Sequence, residues 1–212
     1  MNLIRKDFML VKNKMLAYGF LCTFITLLFK LLIDHTVIEN ALVCAIGLLF
    51  SYFNTIISFE AEGKYKAGAT IITLPYIRQN IITAKYLSIL LINTLYYATN
   101  LLLLAGMYLS GIDTWSGKGI LYGVAGGLIV LSIMIPFFIR FDYIKASNVM
   151  MLSVMLVGVL IALFSKKSTN LNEMFFNIFL IDAKYLCFIS LLIVLLSYLI
   201  SSNIFLKKEF NT

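Results

Sequence analysis

Apolar and polar residues fall along this chain in long blocks rather than in alternation. Six runs carry almost no charge: Leu16–Ile33, Ala41–Phe59, Tyr86–Leu109, Ile120–Ile139, Val149–Phe164 and Tyr185–Phe205. A helix rises about 1.5 Å per residue, so about 20 apolar residues cross the roughly 30 Å hydrocarbon core of a bilayer. Inside that core every backbone amide must find its partner internally, which leaves helices or closed barrels. Barrel strands alternate at period two and these runs do not, so helices are predicted. The pattern predicts an all-α polytopic membrane protein with six transmembrane helices in one membrane domain, 1–212. The fifth run is the shortest and can borrow length from either flank. Pro136 lies inside the fourth. It removes one amide donor, so a kink is expected there, with a neighbouring helix satisfying the freed carbonyl.

The segments between the runs have patterns of their own. Ile4, Phe8, Val11 and Met15 recur at helical spacing, with Arg5, Lys6, Lys12 and Asn13 around the rest of the turn. This predicts a basic amphipathic helix over 1–15, lying at the membrane surface. The loop 60–85 opens with alternating charges at Glu60, Glu62, Lys64 and Lys66, then becomes mostly apolar up to Pro75. A short surface helix ending at or before Leu74 fits it, since proline disfavours helix in the residue before it. In the segment 165–184 the Phe-containing run Met174–Ile181 is too short to span. A re-entrant or interfacial hairpin is expected.

Composition supports the membrane reading and charge orients it. The chain is 61% hydrophobic and 13% charged, and its mean hydropathy is +0.97. Soluble domains carry about twice that share of charge. The net charge of +7 could suggest nucleic acid, but the basic residues are scattered through short loops rather than gathered on one face, so nucleic acid is not an expected partner. Twelve of the 17 Lys and Arg residues fall before the first run, between the second and third, between the fourth and fifth, and after the sixth. The richer side is expected to be cytoplasmic, with both termini inside and anionic lipid nearby. Lys166 and Lys167 run against that trend. The segment before Lys14 is too charged for the core of a secretory signal, so the first span is expected to be retained.

No catalytic constellation emerges. The single histidine, His35, has no HExxH partner and reads as a solvated loop residue beside Asp34 and Glu39. Cys22, Cys44 and Cys187 are odd in number, lack zinc-site spacing and lie in apolar runs, so they read as small buried hydrophobes. Gly111–Gly119 imitates a phosphate loop, but it has one residue too many before Gly117-Lys118 and Gly119 where Ser or Thr is required. No metal site and no cofactor bound by this chain are expected. The spans hold almost no ionisable groups, whereas ion-driven transporters carry them at mid-membrane. Any transport would then draw its energy from elsewhere. Asn93, Tyr97 and Asn100, with other polar neighbours in the third run, are candidates to line a pathway; interhelical hydrogen bonding explains them equally well.

Around the 60–85 loop the sequence resembles a known family. Phe59-Glu60-Ala61-Glu62-Gly63-Lys64, then Leu74-Pro75-Tyr76-Ile77-Arg78, then Ile81-Ile82-Thr83-Ala84-Lys85-Tyr86, is similar to the permease subunits of type-2 ABC transporters. The likeness is strongest over about 28 residues; elsewhere it is one of architecture. It implies that the stretch from about Glu62 to Leu74 is a coupling helix seated in a groove of a separate ABC ATPase subunit. Glu60, Glu62, Lys64, Lys66 and Arg78 would make or orient the contacts there, and the N-terminal helix would add a second contact. It also implies pairing with a second permease, as a homodimer or with a related subunit, and ATP and Mg bound on the ATPase.

Short permeases of this kind resemble the exporters of amphipathic peptides in Gram-positive bacteria. The resemblance therefore implies the bacterial cytoplasmic membrane, with export of amphipathic or hydrophobic peptides and no enzymatic activity in this chain. Lipid or drug export is the nearest alternative. A non-transporting immunity or assembly protein, which needs no ATPase, is the competing class.

Overall fold

The computed structural model describes residues 2–32, 36–64, 78–109, 118–141, 143–152 and 182–207. These form α1 (Asn2–Leu32), α2 (Thr36–Lys64), α3 (Arg78–Leu109), α4 (Lys118–Arg140), a helical stretch α5 over 143–152, and α6 (Ala183–Lys207). Among the described residues, four stretches are long and apolar enough to cross a membrane: Ala41–Glu60, Gln79–Leu109, Lys118–Arg140 and Ala183–Lys207. The expected hairpin lies outside the described residues, apart from its last three positions. So do Pro75, Lys66, His35, the Gly111–Gly117 stretch and the part of the fifth run beyond Leu152.

α4 lies between α2 and α6, and α3 packs across all three while also meeting α1. One core cluster joins Phe59 of α2, Ile82, Tyr86 and Ile89 of α3, Leu131, Ile135 and Phe138 of α4, Ala146 of α5 and Val194 of α6. A second joins α1 to α2 and α3 through Val11, Met15, Cys22, Phe50, Ile57, Ile92 and Tyr96. We call the end of the bundle that carries Lys14, Glu60 and Lys85 the basic end.

Three expectations change. The segment 1–15 is not a separate surface helix, because α1 runs unbroken from Asn2 to Leu32. Val11 and Met15, expected to rest on lipid, are 2% and 7% exposed and pack against α2 and α3. An apolar stripe cannot tell lipid from protein as its burial partner. The loop of 60–85 also shrinks at both ends. α2 continues to Lys64 and α3 begins at Arg78, eight residues before the third apolar run. Those polar opening turns stay helical because neighbours satisfy them: Thr83 Oγ1 pairs with Tyr198 OH at 2.9 Å, and Lys85 Nζ donates to Ser58 O at 2.9 Å.

Pro136 behaves as its chemistry requires. Without an amide hydrogen it leaves the carbonyl of Ser132, one turn earlier, without its helical donor. Ser197 Oγ of α6 donates to that oxygen at 2.7 Å. The same hydroxyl bonds Tyr86 OH of α3 at 2.8 Å, and Tyr86 OH also reaches Ser201 Oγ at 2.7 Å. One proline thus becomes the node that ties α3, α4 and α6. On α6 the buried positions are small or hydroxylated (Ala183, Ser190, Val194, Ser197, Ser201), while Leu192, Leu195 and Leu199 face outward.

Candidate functional site

The residues singled out in the sequence divide between two places, the basic end and the bundle interior. At the basic end the last turns of α2 and the first turns of α3 stand side by side. Lys85 is 5% exposed, and its ammonium both donates to Ser58 O and sits 4.6 Å from the centroid of the Phe59 ring. A buried ammonium is tolerated only with such partners. The Phe59 ring in turn stacks on Phe138 of α4 at 4.9 Å. Lys85 was read from the sequence as part of a motif and an orientation signal. Its burial makes it the main tie between α2 and α3 at this end.

Glu60, one residue after Phe59, is drawn toward α1. Lys14 Nζ meets its two carboxylate oxygens at 3.3 and 3.2 Å. Lys14 is about half exposed and Glu60 is largely covered. Glu62 and Lys64 lie on the last turn of α2, and Arg78 is the first residue of α3. The chain between them, 65–77, contains Lys66 and most of the expected coupling helix, and it lies outside the described residues. Of the five residues expected to contact an ATPase, the structure shows a partner for Glu60 and places three others where α2 ends and α3 starts.

Asn93, Tyr97 and Asn100 lie inside the bundle, 3%, 8% and 5% exposed. Tyr97 OH donates to Gly123 O of α4 at 2.7 Å and lies 3.2 Å from Gly47 O of α2. Ser51 Oγ reaches Asn93 Oδ1 at 2.8 Å. Asn93 Nδ2 and Asn54 Nδ2 converge on the carbonyl of Ile89, at 3.0 and 3.2 Å. Asn100 Nδ2 donates to Tyr96 O of its own helix. Asn93 and Tyr97 thus link α3 to α2, and Tyr97 links it also to α4, while the Asn100 amide bonds within its own helix. Asn54 Oδ1 is the buried side-chain atom left without a partner among the described residues.

Glycines make this seam possible. A Cβ at Gly47 would lie 3.0 Å from Tyr97 OH and 3.3 Å from Gly123 Cα. At Gly127 it would collide with Ser51 Oγ and stand 2.7 Å from Tyr97 OH. Small residues of this kind let membrane helices approach closely enough for such bonds. The sequence shows the glycines but not which hydroxyls they admit.

Between α1 and α3 the packing is different. Phe8, Lys12, Leu16, Gly19, Thr23 and Leu27 of α1 face Ile92, Leu95, Tyr96, Thr99 and Leu103 of α3 across a groove of about 470 Å³, with Phe50 of α2 also lining it. Cys22 is buried, Cys44 and Cys187 are partly so, and all three are free thiols.

No curated protein and no solved structure matches the sequence. A protein-family match does extend over residues 2–208, nearly the whole chain, and its description is ABC-2 family transporter protein. That range takes in both the basic end, where α2 and α3 are clamped together, and the glycine seam that fixes α2 against α4. The chain belongs to the ABC-2 transporter family, whose membrane subunits work with an ABC ATPase.

Proposed function

We propose that this permease subunit exports amphipathic or hydrophobic peptides across the bacterial cytoplasmic membrane, driven by a separate ATPase that grips the 65–77 segment from the cytosol. On this reading the basic end faces the cytosol, both termini are inside, and two permeases pair around the path. ATP and Mg stay on the ATPase, and this chain supplies no catalytic group.

The clamp at the basic end carries the reading. A motor protein moving a short segment does work on the spans only if that segment is rigidly joined to them. Lys85 fixes α3 to the end of α2, Lys14 and Glu60 fix α1 to the same turn, and Tyr86 fixes α3 to α6. A push delivered between Lys64 and Arg78 would therefore reach four helices within about two turns. The mostly apolar spans suit an apolar or amphipathic cargo, since a desolvated polar one needs hydrogen-bonding partners.

The test is ATP hydrolysis by the complex with its ATPase, reconstituted in vesicles, with and without amphipathic peptides. Stimulation is expected, together with peptide accumulation on the far side. Replacing Glu62 or Arg78 with Ala should leave insertion and basal hydrolysis intact and abolish transport. No response to any amphipathic peptide, with stimulation by a lipid or drug instead, would move the cargo to that class. Unchanged transport in both variants would remove Glu62 and Arg78 from the coupling contact.

A further inference from the structure

We infer that the groove between α1 and α3 holds one acyl chain of an anionic phospholipid, with the headgroup seated on Arg5 and Lys12. This concerns the chain in a bilayer and does not depend on the ATPase or the cargo.

The shape and chemistry of the groove select the occupant. From Lys12 to Leu27 the α1 wall runs over 16 residues, about 22 Å at helical rise, more than the roughly 15 Å depth of one leaflet's hydrocarbon. One chain can therefore lie along it for its whole length. The two threonine hydroxyls on the walls are already used. Thr23 Oγ1 donates to Gly19 O and Thr99 Oγ1 to Tyr96 O, both at 2.8 Å. The remaining lining side chains below Lys12 are apolar or aromatic, and Phe20, Phe24 and Leu95 open to the outside at the rims. A peptide backbone would find few polar partners here. A hydrocarbon chain needs none.

Charge is confined to one end of the groove. Arg5 and Lys12 are seven residues apart, so they lie within about 20° of each other on the helix surface, with Phe8 between them. Both are exposed. Lys14, only two residues on, points to the other side and is held by Glu60, whereas Lys12 has no ion pair among the described residues. Two cations above a dry slot match a phosphate group joined to an acyl chain, in the leaflet at the basic end.

The floor also permits a blocking substitution. A Cβ at Gly19 would touch only Phe50 Cε2, at an ordinary 3.7 Å, so a larger side chain can enter the groove without displacing backbone.

The experiment uses the full chain in phosphatidylcholine vesicles doped with either of two photoreactive lipids, a phosphatidylglycerol or a phosphatidylcholine carrying a diazirine on the same acyl chain. Labelled residues are mapped by mass spectrometry. Phosphatidylglycerol should label 16–27 and 92–103 about 30-fold more than phosphatidylcholine, the scale of two surface cations, Arg5 and Lys12, near an anionic headgroup. Leu192, Leu195 and Leu199 on α6 should be labelled equally by both. Lys12→Gln should cut the preference to about fivefold, and Arg5→Gln added to it should remove the rest. Both change only exposed side chains, so they stay informative whatever Gly19→Leu does to folding. Gly19→Leu should remove groove labelling by both lipids while α6 labelling persists. Equal groove labelling by the two lipids, or labelling that survives Gly19→Leu, would overturn the inference. So would efficient disulfide linking of copies through Phe20→Cys, which would put a second copy of the chain in the groove.

Discussion

The seam between α2 and α4 and the groove between α1 and α3 are built from the same kinds of residue to opposite effect. In the seam, Gly47, Gly123 and Gly127 bring the two helices so close that Tyr97 OH lies within 3.2 Å of a carbonyl on each. In the groove, Gly19 meets one ring edge and leaves a void of about 470 Å³. A glycine closes an interface only when a neighbouring helix brings a group into the space it vacates. Otherwise it opens a slot. The seam thereby gives a fixed geometry, and the groove leaves α1 joined to α3 through side-chain contacts alone along much of its length.

Gly127→Leu should separate the two regions most strongly. Its side chain would strike Ser51 and Tyr97, an overpacking cost of about 1–3 kcal/mol or outright loss of folding. Gly19→Leu should elute as a folded protein at the wild-type position. Thermal unfolding in detergent followed by gel filtration compares them, and equal loss in both would erase the distinction. Next in size is Lys85→Met, which removes the ammonium from Ser58 O and from the Phe59 ring. A loss of about 2 kcal/mol is expected, the scale of a hydrogen bond to a charged group. It should be accompanied by impaired coupling, because α2 and α3 are no longer joined beside the 65–77 segment.

Tyr86→Phe should cost about 1 kcal/mol, since hydrogen bonds between membrane helices average below that and reach roughly twice it. It removes the link from α3 to Ser197 and Ser201 but leaves Ser197 free to serve Ser132 O. A larger loss would show that the tyrosine also holds the serine on the proline-freed carbonyl. The smallest effect belongs to Lys14→Gln, below about 1 kcal/mol because the pair is partly exposed. Its difference from wild type should shrink as salt is raised. A salt-independent effect would mean that Lys14 contributes through packing instead.

The positions of α4 and α6 were legible in the sequence within about two residues, because both are continuous apolar runs bounded by charge. The outcome at Pro136 was legible in kind: a missing amide hydrogen frees a carbonyl, and another helix must supply a donor. That the donor is Ser197 was not, since serines recur along α6 and only packing selects one. The start of α3 was misjudged for a related reason. Residues 78–85 look like loop because they are polar, yet Thr83 and Lys85 find partners on α6 and α2 that make helix the satisfied state.

Hydrophobicity counted residue by residue was enough to settle that the chain is helical and belongs in a bilayer, because that depends only on runs long enough to cross hydrocarbon and on backbone groups that must pair within them. The short polar stretches around the 65–77 segment were enough to suggest the family. The sequence could not assign Asn93 and Tyr97 to packing between helices, set Lys14 against Glu60, or choose which side of α1 meets protein and which meets lipid. Those outcomes depend on contacts between residues 26 to 50 positions apart. Such contacts exist only once the helices have taken their places.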